Sequence, residues 1–268
     1  MQPVGRNLNT ATLHSCRLPQ EKGITEVAVK KKPARKTRKR TVTAALRFAK
    51  AASALDVVVG IDVSEDQGTI EWSAAASSIN FAIIKATDGV DADPSFQTNW
   101  TGARAAGVKT GAYHFFRNFH GAQEQFNQLS RTVTDAGGFP IALDIENTPK
   151  YKLTPKDVPI IGQLMSLIQE QYGKLPIIYT DNGSWSSLGN PDSANGISFV
   201  QCPLWIAYPT SNPSPLYPLP WTAWTFWQYN WKGSIPGIAK DVDLDRFAGN
   251  LTVLRRIAAA ASGEAKLK

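Results

Sequence analysis

Cysteine is almost missing from this chain. Cys16 and Cys202 are the only two in 268 residues, too few for a disulfide framework or a cysteine-based zinc site, so the fold has to stand on its core. Histidine is scarce as well, at three residues. His114 and His120 are ligands in principle, but no His-x-x-x-His spacing or neighbouring cysteine supports a metal site, and no cofactor is expected. No run approaches the roughly 18 consecutive apolar residues of a membrane helix. Thr41–Leu55 is rich in alanine, yet Arg47 and Lys50 interrupt it and it starts far from Met1, which argues against a standard secretory signal. Gly-x-Ser-x-Gly and phosphate-cradling glycine loops are absent too, which weighs against an esterase or an NTPase.

Charge is abundant but unevenly placed. The total is +7, with a net of +11 within residues 1–50 and −4 over the rest. Lys30–Arg40 is a dense basic block, of the kind that repels itself and stays extended. It is either a solvated leader or an electrostatic tether to polyanions such as nucleic acid, anionic lipid or the charged polymers of a bacterial envelope. No aromatics interleave with it to stack bases, so specific nucleic-acid recognition is not expected. Residues 42–54 have the pattern of a short amphipathic helix. The expected division is a basic, disordered tail and linker over 1–54, a catalytic domain over 55–262 and a short tail over 263–268.

From Val57 onward, short apolar runs alternate with helical segments. Val57–Val63, Phe81–Thr87, Thr110–Phe116, Phe139–Glu146, Leu175–Thr180, Leu204–Tyr208 and Thr225–Tyr229 read as buried strands, several without the polar alternation of a half-exposed sheet. Residues 95–106, 121–135 and 155–172 read as helices between them. Units of about 25–35 residues argue for βαβ repeats and a parallel sheet. Seven or eight strands in this length predict an α/β fold, an irregular TIM-like β/α barrel whose last units have little room for helices. Six prolines between Pro203 and Pro220 mark that stretch as loop and edge.

Within the fourth strand, Leu143-Asp144-Ile145-Glu146 puts two carboxylates two residues apart. Residues i and i+2 of a strand share a face, so Asp144 and Glu146 project together while Leu143 and Ile145 pack the other way. Two carboxyls at close range cannot both ionise freely, and one can keep its proton near neutrality, as glycosidic hydrolysis requires. Alone, the pair could equally be two solvated acids at a strand end. Other strand ends add to it, however: Asp62, Lys85, Tyr113 with Phe115, Tyr179, Trp205 with Tyr208, Trp227 with Gln228, and Asp243 among Asp241 and Asp245. Parallel β/α folds hold their sites at that end. Aromatics with polar tips suit a sugar, whose C–H faces pack on rings while its hydroxyls need partners.

Residues 58–249 resemble the family 25 glycoside hydrolases, the Chalaropsis-type muramidases of bacteria, phages and fungi. The matching segments are Gly60-Ile61-Asp62-Val63-Ser64, Phe81–Gly89, Gly111–Phe115, Ala142–Glu146, Ile178-Tyr179-Thr180, Leu204–Tyr208, Trp227-Gln228-Tyr229 and Val242–Asp245, in the family's order. The resemblance implies a flattened, incomplete barrel that cleaves the β-1,4 bond between N-acetylmuramic acid and N-acetylglucosamine of peptidoglycan. It implies Glu146 as general acid, Asp144 as the second carboxylate, and Asp62 and Asp243 as acids flanking the groove floor. Lys85, Tyr113, Phe115, Tyr179, Trp205, Tyr208, Trp227 and Gln228 are then expected to contact substrate. Asp245 departs from the family's more common Asn.

Asp144 would either attack the anomeric carbon or orient the substrate's own N-acetyl group as nucleophile. Two other functions stay open at this point: an inert wall-binding module on the same fold, and a Mg²⁺-dependent phosphodiesterase using the same acids. The expected site of action is the periplasmic or extracellular wall, reached through a holin, a virion or a secretion apparatus, and the expected state is a monomer.

Overall fold

A computed structural model of the chain describes residues 57–261. The basic tail expected over 1–54, the helix expected over 42–54 and the tail expected over 263–268 lie outside the described residues. Eight strands close into a barrel in the order β1 (Val59–Val63), β11 (Val242–Phe247), β10 (Phe226–Gly233), β9 (Leu204–Ala207), β6 (Ile177–Thr180), β5 (Ala142–Asp144), β4 (Lys109–Phe115) and β2 (Phe81–Asp88), with β1 pairing β2 to complete the ring. A short strand β3 (Asp91–Ala92) folds back on β2, and β7 (Ser193–Ala194) pairs β8 (Ile197–Ser198) as a separate hairpin. No helix among the described residues is long and apolar enough to cross a membrane.

The expected helices form at α2 (Phe96–Ala105), α3 (Ala122–Thr132) and α4 (Val158–Tyr172), joined by short helices α1 (Trp72–Ala75) and α5 (Asn182–Ser187) and a final α6 (Leu251–Ala261). α4 shows why the sequence chooses helix there. Ile161, Leu164, Met165 and Ile168 recur at helical spacing and are all buried, and the helix stops at Gly173 in the left-handed conformation. The coat is incomplete where expected: β9 leads to β10 through the proline-rich stretch 208–225, which holds neither helix nor strand. Two details differ from expectation. β11 runs antiparallel to both β1 and β10, so the sheet is mixed rather than wholly parallel. β5 is only three residues long, because Pro140 cannot donate a ladder hydrogen bond; Ile145 N still bonds Tyr179 O at 2.9 Å and carries the strand's direction past Asp144.

The barrel interior is filled in tiers. Phe81, Phe139, Phe226 and Phe247 pack edge-on or tilted at the N-terminal end of the parallel strands, with centroids 5.3–6.0 Å apart. Gly60 has to be glycine here, since a Cβ would lie 2.3 Å from the Phe81 ring. Tyr113, Tyr179 and Trp205 form the next tier. Above it, at the C-terminal strand ends, apolar side chains give way to carboxyls. The plug below excludes water from that floor, and the outer faces of the strands bury Leu143, Ile145, Ile178 and Ile206 under the helices.

Candidate active site

Strand parity assembles the acids. On β5, Ala142, Asp144 and then Glu146 face inward while Leu143 and Ile145 pack outward into the helical layer. On β1, Asp62 faces inward and lies directly across the antiparallel ladder from Asp243 on β11. The four carboxyls open onto one cavity of about 190 Å³ together with Lys85, Tyr113, Phe115, Tyr179, Trp205 and Gln228. Tyr208 lies in a second recess of about 460 Å³, and Glu146 lines both.

Trp227 is elsewhere. Gln228 faces the cavity, so its neighbour on β10 must face the opposite side of the sheet. Trp227 packs edge-on against Trp224 and Tyr229, and its Nε1 donates to Tyr208 O at 2.8 Å. The expectation that it lines the sugar cleft is therefore corrected: it supports the wall from behind. His114 also takes no part in the cavity. It is fully buried, with Nδ1 2.7 Å from Thr87 Oγ1 and Nε2 3.1 Å from Gln125 Oε1, and burial lowers its pKa to about 4. A neutral imidazole thus ties β2, β4 and α3 together.

Burial dominates the electrostatics. Glu146 is raised to about 7, by burial first and then by Asp181 and Asp243, with Lys85 and Arg117 opposing. Asp144 is held well above the usual carboxylate range by burial and then by Glu146. The larger causes at Glu146 are burial and Asp181, a residue the Asp-x-Glu motif does not contain. Asp181 caps α5 by accepting from Gly183 N and Ser184 N at 2.7 and 3.0 Å, which fixes its carboxylate beside Glu146. Asp243 is raised to about 6 by burial.

Beneath them lies a second carboxyl pair. Asp62 is raised well above the usual range by burial and then by Asp245, and Asp245 is raised to about 8, chiefly by burial. Asp245 accepts from Trp205 Nε1 at 2.7 Å, and Asp62 accepts from Gln228 Nε2 at 2.7 Å. The charge of Asp245 raises Asp62 further, and Asp245 Oδ2 is buried with no hydrogen-bond partner among the described residues, so the two carboxyls resist ionising together. The cavity's cation is Lys85, held 3.2 Å from Asp88, which also forms a two-pronged ion pair with Arg117. Arg117 in turn covers the Phe115 ring at 4.2 Å.

Crowded, partly protonated carboxyls at the mouth of a plugged β/α barrel are the equipment of glycoside hydrolysis. Residues 61–238 match the family described as Glycosyl hydrolases family 25. The chain belongs to this family. Lysozyme M1 of Streptomyces globisporus is 34% identical over 215 residues, covering 75% of this chain and 71% of that protein. The crystal structure of a bacterial lysozyme from Streptomyces coelicolor superposes with a TM-score of 0.69 at 32% identity, covering 77% of this chain and 99% of that one. A family 25 lysozyme from Aspergillus fumigatus gives a TM-score of 0.66 at 30% identity, over 75% and 99% of the two chains. This chain is thus a glycoside hydrolase of the lysozyme class with the family's distorted barrel. The family match takes in Asp62, Asp144 and Glu146 and stops short of Asp243 and Asp245.

Proposed function

We propose that this family 25 enzyme is a 1,4-β-N-acetylmuramidase that cleaves the bond between N-acetylmuramic acid and N-acetylglucosamine in bacterial peptidoglycan, with Glu146 as general acid. The observation that carries this reading is the convergence of Asp62, Asp144, Glu146 and Asp243 on one cavity. Glu146, raised to about 7, holds a proton at neutral pH and delivers it to the glycosidic oxygen as the C1–O bond breaks. The substrate's acetamido oxygen attacks C1 from the opposite face and gives a cyclic oxazolinium. Asp144 suits the task of holding that acetamide: its Oδ1 is buried and has no hydrogen-bond partner among the described residues, so it is an acceptor in want of an N–H. Water then opens the ring at C1, passing its proton to the Glu146 carboxylate, and the anomeric configuration is retained.

Asp62 and Asp243 give the floor a negative potential that favours a transition state with oxocarbenium character. Lys85, Tyr113, Phe115, Tyr179, Trp205, Gln228 and Tyr208 position the sugar or the acids. In this reading residues 55–262 are the catalytic unit, it works as a monomer, and the basic stretch before it contacts anionic envelope polymers. The wall lies outside the cytoplasmic membrane, so export by holin, virion or secretion apparatus belongs to the same reading. The test is clearing of a bacterial wall suspension by wild type and Glu146→Gln. A loss of about 10²-fold or more with an unchanged fold is expected. A loss below about tenfold removes Glu146 from the role, and wild type that sediments with walls without clearing them identifies a binder.

A further inference from the structure

Trp231 stands out because its two halves are in different surroundings. Its side chain is 54% exposed, yet its indole Nε1 donates to Gln228 Oε1 at 2.8 Å. Gln228 is buried; the same oxygen accepts from Tyr179 OH at 2.9 Å, and its Nε2 donates to Asp62 at 2.7 Å. A solitary surface tryptophan needs no explanation. One whose N–H joins the network that holds an active-site carboxyl does.

The backbone shows how it gets there. Simple alternation from Gln228 would turn residue 231 to the outer face, where Trp227 and Tyr229 lie. The β10–β11 ladder slips between Gln228 and Asn230, so that two residues of β10 answer one of β11. Such a bulge re-aims the side chains that follow it, and Trp231 returns to Gln228's side. Asn230 Oδ1 accepts from Lys232 N at 2.9 Å and pins the local turn. The ring then lines the recess of about 460 Å³ that it shares with Glu146, Asp181, Tyr208 and Pro209, a volume within the range of small-ligand pockets, about 300–1,000 Å³.

Glu146 borders both this recess and the acid cavity. Resting on the muramidase reading above, the sugar that becomes the oxocarbenium sits with the acids, and the sugar that departs sits on the other side of Glu146. We propose that Trp231 is the aromatic platform for the leaving-group amino sugar, its ring packing the saccharide's C–H face while its N–H keeps it registered to Gln228 and Asp62. Substrate held there presents the glycosidic oxygen to Glu146.

Two substitutions in the full chain separate ring from donor. Trp231→Phe keeps a ring and loses the N–H; Trp231→Gln keeps a donor and loses the ring. With soluble peptidoglycan oligosaccharides and reducing ends as the readout, Trp231→Gln should raise KM roughly 3- to 10-fold with kcat changed less than about twofold. Trp231→Phe should keep KM within about twofold of wild type. Equal effects of the two, or an unchanged KM in Trp231→Gln, overturn the proposal. Calorimetric binding of the same oligosaccharides reports the platform without turnover: wild type that binds but does not cleave sinks the muramidase reading alone. Binding undiminished in Trp231→Gln sinks the platform, whatever the turnover.

Discussion

Asp245→Asn should stabilise the protein, and do so only away from acid pH. Asp245 is fully buried, across the ladder from Gly60, with Trp205 Nε1 donating to one oxygen and Asp62 against it. Its carboxyl is raised from 3.8 to about 8. A raised acid makes the folded state the greater binder of protons, so stability falls as pH climbs through the unfolded value and levels off above the folded one. At about 1.4 kcal/mol per unit, the four-unit window would cost roughly 5 kcal/mol if Asp245 titrated alone. Because Asp62 titrates beside it, about 2–4 kcal/mol is the better expectation for the part lost between pH 5 and 8. An asparagine's oxygen can still accept from Trp205 Nε1, and its amide carries no charge to bury. Urea or thermal unfolding at the two pH values tests this. The variant should gain about 2–4 kcal/mol at pH 8, or very roughly 5–15 °C for a domain of this size, and much less at pH 5. A gain equal at both values, or a loss at pH 8, would refute the argument from a buried, raised carboxyl.

Two further outcomes follow from the same geometry. Lys85 opposes the raised pKa of Glu146 and Asp144, so kcat/KM, which should fall above about pH 7 in wild type as Glu146 deprotonates, should hold to higher pH in Lys85→Met; an alkaline limb moved to lower pH contradicts this. Gly60→Ala forces a Cβ to 2.3 Å from the Phe81 ring and should cost about 1–3 kcal/mol or more by overpacking, read as a lowered melting temperature; an unchanged one means the aromatic plug yields easily.

Much of this was legible in the residues, and parity explains both what was and what was not. Asp144 and Glu146 alternate with Leu143 and Ile145, so the face was set once the strand was recognised, whereas Asp62 was marked by its place at a strand end and by the resemblance. Trp227 was expected in the cleft from the resemblance, but it adjoins Gln228, and only one of two neighbours on a strand can face inward. Asp181 and Trp231 were missed for a different reason. Asp181 caps a short helix, and nothing local reveals that the capped helix brings it to Glu146. Trp231 reaches the cleft through a bulge, which breaks the alternation that sequence reasoning depends on. Asp243 was placed by the resemblance, and its partnership with Asp62 comes from an antiparallel register that a βαβ pattern does not suggest.

The central claim is that burial and neighbouring carboxylates make Glu146 keep its proton near neutrality. Carbon-13 NMR of the Glu146 side-chain carboxyl, followed against pH in the whole chain, measures that directly. A midpoint close to 7 is the expected result; a midpoint close to 4.5, the ordinary glutamate value, would show the residue ionised where it has to be an acid.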